Sequence, residues 1–116
     1  MIHTTKGRGM EHFRGEGYLC GSVESQRGQF RADLFGLFDF VVLGERCTWG
    51  VQACMVASGE IEEHKLKMVE NTNLKKVFTA GWGVYLICFW PWAKEAKRHE
   101  FKLFQLEPYG LWRQIE

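Results

Sequence analysis

Asp39 and Gln52 are the residues of this chain whose chemistry is least at home in their surroundings. Asp39 heads the apolar run Phe40-Val41-Val42-Leu43, and Gln52 sits inside Thr48-Trp49-Gly50-Val51-Gln52-Ala53-Cys54. A carboxylate at the head of a buried strand is unfavourable unless it is hydrogen-bonded, paired or bound to a cation. On neighbouring strands the two side chains could hold a metal ion at a sheet edge. The alternative is local: Asp39 caps a turn and Gln52 bonds a nearby loop, since buried polar groups are ordinarily satisfied ones. The pattern alone leaves both readings open.

A second set of residues could attract phosphate. Residues 1–63 carry six Lys/Arg and nine Asp/Glu, a net −3, whereas residues 64–102 carry eight and three, a net +5. A basic half can face phosphate while an acidic cluster binds a divalent cation, although an ordinary solvated helix face has the same composition. Trp90-Pro91-Trp92 stands beside Lys94, Lys97, Arg98 and His99. Aromatic rings next to cations are what a nucleic-acid groove uses, through stacking and phosphate attraction. Trp92, Lys97 and Arg98 are the candidates for such a contact; the alternative is an apolar plug at the sheet end with a basic hairpin facing solvent. Trp90 is expected in the plug. Phe35 and Phe38, alternating with Asp39, are expected to anchor the core.

Short elements must position these groups. Thr4 or Thr5 caps a first helix running to about Arg14, stopped by Gly15 and Gly17. Gly7 and Gly9 weaken it by roughly 1 kcal/mol each. Tyr18–Glu24 reads as a first strand, Ser25–Phe30 as a loop, Leu37–Leu43 as a second strand and Thr48–Cys54 as a third. Ser58 caps a helix that begins acidic and becomes basic, matching the helix dipole. Asn71-Thr72-Asn73 bends or restarts it, and Gly81 stops it. Gly83–Trp90 is almost continuously apolar, as in a strand buried on both faces. Glu100–Leu106 alternates and reads as an edge strand. The strand–helix–strand from Thr48 to Trp90 should set two strands parallel. The expected architecture is α/β with a mixed sheet: helix, three-strand meander, crossover helix, strand, edge strand.

Composition narrows the class. The 116 residues, 46 % of them hydrophobic and 15 % aromatic, suit a single globular domain over residues 1–116. No apolar run reaches the roughly 18 residues of a membrane span, and the start lacks an apolar signal core, so a cytoplasmic protein is expected. Cys20, Cys47, Cys54 and Cys88 lack CxxC spacing and are expected as reduced, buried thiols. Pro108-Tyr109-Gly110-Leu111-Trp112 is too apolar for a free tail. It should pack on the domain or on a second copy, and the latter would make a homodimer.

The element order, with Asp39 and Gln52 where they fall, resembles the PD-(D/E)XK nuclease superfamily, and within it small Holliday-junction-resolvase-like proteins of phages and mobile elements. The resemblance runs over about residues 5–104. It is carried by Gly17-Tyr18, Val23-Glu24, Asp33-Leu34-Phe35-Gly36 leading to Asp39, Val51-Gln52-Ala53, His64 and Lys67, and Ala80-Gly81-Trp82. It implies a restriction-endonuclease-like core and a metal-dependent DNA endonuclease. It also implies that Asp39 and Gln52 hold Mg²⁺ (or Mn²⁺), with Asp33 as a further acid at the metal. Glu24 is similar to the extra acidic residue of some resolvases.

The chain departs from the superfamily pattern twice. Gln52 is neutral where a Glu would strengthen cation binding, and Cys54 occupies the usual lysine position. The resemblance then assigns the lysine function to the following helix: Lys67 first, Lys65 second. The two are about 200° apart around a helix, so only one can face the site. His64, one turn before Lys67, is placed to touch phosphate, and Lys65 is the further nucleic-acid contact. The expected activity is cleavage of DNA, branched DNA in particular. The alternative is a decayed nuclease fold that binds nucleic acid or protein as an accessory of a phage or mobile element.

Overall fold

Alternating and continuous apolar runs make strands here, and two differently placed helical segments cover them. The computed structural model describes residues 4–23, 25–27, 30–55, 60–90 and 101–116, with 25–27, 30 and 31 as backbone only. In chain order the elements are α1 (Thr5–Gly15), β1 (Leu19–Ser22), β2 (Ser25–Arg27), β3 (Phe30–Ala32), β4 (Phe40–Leu43), β5 (Thr48–Met55), α2 (Glu60–Glu70), α3 (Leu74–Thr79), β6 (Gly83–Phe89), β7 (Phe101–Leu106) and β8 (Trp112–Gln114). The fold is α/β, with a six-stranded mixed sheet in the order β1-β4-β5-β6-β7-β8 and a separate β2-β3 hairpin. All pairings are antiparallel except β5 with β6, which is parallel as the crossover pattern requires.

The sheet is covered on both faces, and β6 shows why its sequence is almost uniformly apolar. Tyr85, Ile87 and Phe89 join one core with Met10 and Phe13 of α1, while Val84, Leu86 and Cys88 join a second with Met68, Leu74 and Val77 of α2 and α3. A strand with helices on both sides has no face left for polar residues. Helix α1 begins as expected: the Thr4 hydroxyl oxygen accepts a hydrogen bond from Gly7 N–H at 3.0 Å. Among the described residues no helix is long and apolar enough to cross a membrane.

Three expectations change. Residues 25–27 and 30–32 pair as antiparallel strands rather than forming a plain loop; each strand is three residues long, too short to show alternation. β7 is not an edge, because β8 pairs beyond it, from Leu106↔Trp112 to Phe104↔Gln114. Of the apolar tail only Trp112 joins the sheet; Tyr109 and Leu111 stand exposed. Finally, β4 starts at Phe40 and not at Leu37. The chain bends at Asp39, so Phe38 enters the core under α2 and Phe40 the core under α1. Strict alternation would have put both rings on one face. The proposed Ser58 cap lies outside the described residues.

Candidate functional site

Asp39 is the only charged or polar residue among those described that is fully buried, at 7 % exposure. It is held at the junction of three strands. Its N–H donates to Val51 O at 2.9 Å, and its carbonyl accepts from Val23 N–H at 3.2 Å. Its Oδ2 accepts from Ala53 N–H at 2.8 Å. The carboxylate thus turns onto the β5 backbone, a charge-assisted contact that offsets part of its desolvation. Phe40 pairs with Val51, so continuing the register by one residue sets Asp39 across from Gln52.

Gln52 alternates with Cys54, and so looks towards α2. In the amide orientation that satisfies both of its ends, its nitrogen donates to Leu37 O and, at 3.2 Å, to Asp33 Oδ2. A cavity of about 220 Å³ opens here, lined by Asp33, Gly36, Gln52, His64, Lys67, Met68 and Asn71. Helix α2 contributes His64, Lys67 and Met68 because three- and four-residue steps share one helix face, and Asn71 follows just beyond its end. Lys65 looks elsewhere: its ammonium stands 3.9 Å from the centre of the Phe104 ring and 3.5 Å from Glu62 Oε1. Of the residues singled out from the sequence, Asp33, Gln52, His64 and Lys67 are brought together, and Asp39 lies one strand over. Glu24, Trp92, Lys97 and Arg98 lie outside the described residues.

Cys54, where the resemblance would have a lysine, brings no charge. Its Sγ is 3.1 Å from Cys88 Sγ on the paired strand. That thiol contact first, then burial, then the Glu60 and Asp39 carboxylates hold Cys54 well above the usual thiol range. It is a neutral core residue.

Comparison with known proteins gives no match: none of the family models, curated proteins or solved structures matches the chain.

Two features escaped the sequence reading. The turn Asp33–Leu37 is pinned from the α2–α3 junction: Asn71 Nδ2 donates to Phe35 O and Gly36 O, both at 3.3 Å, and Asn73 Nδ2 to Phe35 O at 3.1 Å. The Asn-Thr-Asn run that looked like a helix bend is also a clamp. In that turn Phe35 is not a core anchor. It has a positive φ of 60° and stands 46 % exposed, whereas Phe38 is fully buried as expected.

The second feature is a group that could hold a metal ion on the opposite face of the sheet, at α1. His12 Nε2 lies 3.0 Å from Glu16 Oε1 and 3.5 Å from Glu116 Oε2. Among the described residues this is the one set of three His, Cys, Asp or Glu side chains whose ligand atoms all fall within 4.8 Å of one another. One nitrogen and two oxygens are not a set specific to Mg²⁺, which favours oxygen throughout. With Glu116 more than a hundred residues from His12, no local spacing announces it.

Proposed function

We propose that the chain is a nuclease-like domain with a restriction-endonuclease-like core, which binds and cleaves a DNA phosphodiester with the help of Mg²⁺ or Mn²⁺. The observation that carries this reading is the convergence of Asp33, Gln52, His64 and Lys67 on one cavity, with Asp39 immediately before β4, the strand paired to that of Gln52. The sheet supports it: a β1-β4-β5 meander follows α1, and β6 returns parallel to β5 after the helices.

The donor chemistry fits a hard cation. Asp33 and Asp39 offer carboxylates and Gln52 an amide oxygen, and an ion that keeps several of its waters needs few protein ligands. When bound, the ion would lower the pKa of a water and offset charge on the phosphate. Lys67 would hold a phosphate oxygen or orient the attacking water, a contact that strengthens as charge develops. His64 would touch the same phosphate from one turn away. The Gln52 bond to Asp33 fixes that carboxylate in the cavity.

The test is cleavage of nicked, branched and duplex DNA with Mg²⁺ or Mn²⁺. Asp39→Asn should abolish activity, Lys67→Ala should lower it on the order of 10²-fold, and Gln52→Glu should keep or raise it. A second reading, a domain that retains binding and has lost cleavage, is favoured by neutral Cys54 at the lysine position. An inert wild type whose Gln52→Glu, Cys54→Lys double variant gains activity would decide for that second reading.

A further inference from the structure

Phe35 is held in a conformation that suits it poorly and a place that does not need it. A bulky residue at φ 60° is strained. Glycine or asparagine would sit there at lower cost. The residue is 46 % exposed, and its ring contact is with half-buried Trp82 rather than with the core interior. The backbone is nonetheless fixed, by the Asn71 and Asn73 amides on the Phe35 and Gly36 carbonyls. The result is an aromatic ring displayed on a rigid turn.

The ring faces a second aromatic. Phe35 meets Trp82 edge-on, centroids 6.0 Å apart and planes at 60°. Trp82 is backed on its other side by buried Phe38, stacked at 5.9 Å and 27°. Beside them opens a cleft of about 320 Å³ lined by Phe35, Asn73, Lys76, Val77, Ala80 and Trp82. That is about the smallest volume of a small-molecule pocket. Its walls are apolar and aromatic, and its one charge is the Lys76 ammonium. This combination suits a flat, uncharged ring system attached to an anion.

The cleft and the Asp33–Lys67 cavity share one turn. Phe35 lines the first and its neighbour Gly36 the second; Asn73 lines the first and Asn71 the second. A ligand spanning the two has only to cross the Phe35–Gly36 peptide, with Lys76 at one end and Lys67 at the other.

We propose that the Phe35–Trp82 cleft seats one unstacked nucleobase of the DNA strand whose phosphate lies at Lys67. This rests on the nuclease reading of the neighbouring cavity and adds to it a mode of recognition. Aromatic stacking accepts any base, because every base has a π-face. The cleft therefore requires a base free of its duplex partner, as at a nick, a flap or a junction, and not a particular sequence.

The test measures binding of a fluorescent single-stranded oligonucleotide, without divalent ion, in parallel with an oligonucleotide of the same phosphates whose bases are replaced by abasic sites. Wild type should bind the base-bearing strand roughly 5- to 150-fold more tightly than the abasic one, the range for losing one stacked base. Phe35→Asn should fold with an equal or higher melting temperature, since asparagine tolerates positive φ, and should remove that preference. Lys67→Ala should weaken both strands alike. Equal binding of the two strands by wild type, or an undiminished preference in Phe35→Asn, overturns the base seat and leaves the nuclease reading standing. No binding of either strand by wild type overturns the base seat, and no cleavage of nicked, branched or duplex DNA with Mg²⁺ or Mn²⁺ overturns the nuclease reading as well. A wild type that dimerises in sedimentation, with Phe35→Asn monomeric and equally able to bind the strand, assigns the cleft to a second copy and overturns the proposal.

Discussion

At the residue scale the site is a contest between structural and chemical use of the same carboxylate. Asp39 accepts the Ala53 N–H at 2.8 Å while buried to 7 % exposure. Asp39→Ala leaves that donor without this acceptor and should lose about 1–3 kcal/mol of stability in urea unfolding. Asp39→Asn keeps an oxygen in place and should lose less than half as much. A stable Asp39→Asn that no longer cleaves would therefore separate the two uses. Titration of the core thiols gives a second expectation. Burial raises Cys20 and Tyr85, and the Cys88 contact and then burial raise Cys54, from ordinary values of 9.0 for the thiols and 10.0 for the phenol. Above pH 9.0 the unfolded thiols release protons that the folded ones keep, so the native state binds more protons and stability falls as pH rises. The loss approaches 1.4 kcal/mol per pH unit for each such group. Urea midpoints should be flat below pH 8.5 and decline steadily from pH 9 to 10.5. The sequence made Asp39 conspicuous because a charge beside an apolar run is visible in one dimension. It misjudged Phe35, because hydropathy records what a side chain prefers and not the φ its backbone is given.

At the element scale, the same glycine that weakens α1 as a helix lets it pack. A Cβ on Gly9 would fall 2.9 Å from the Phe40 ring and 3.3 Å from Ile87. Helix propensity alone predicts that Gly9→Ala stabilises by about 1 kcal/mol. Overpacking costs about 1–3 kcal/mol. The contact atoms belong to buried rings and β6, which cannot swing away, so a net loss of about 1 kcal/mol is expected in chemical denaturation. The larger elements were legible in advance for a simple reason: β5 and β6 alternate or saturate with apolar residues over seven or eight positions. The β2–β3 hairpin and β8 were not, because three residues cannot display a period. The clamp from Asn71 and Asn73 onto the Phe35 turn was hidden for another reason: its partners are 35 to 38 positions apart.

Across the whole molecule, the described cations on the α2–α3 side are few. Lys67 and Lys76 line the two cavities and Lys75 a neighbouring groove. If these three make the phosphate contacts to a single strand, the logarithm of affinity should fall against the logarithm of salt with a slope of roughly −2, at about 0.7 per contact. Replacing any one by alanine should flatten the slope by about 0.7. A slope of roughly −4 would mean that Lys94, Lys97 and Arg98 contribute as many contacts again. The distribution of thiols has a different consequence. Cys20, Cys54 and Cys88 are buried, while Cys47 is partly exposed at the β4–β5 turn. An alkylating reagent should therefore add one adduct quickly and the remaining three only as fast as the sheet opens. Intact-mass spectra over time would read out whether Cys20, under α1, is released before Cys54 and Cys88, under α2 and α3. The two sides of the sheet would then be timed separately, in native buffer, by residues the chain already carries.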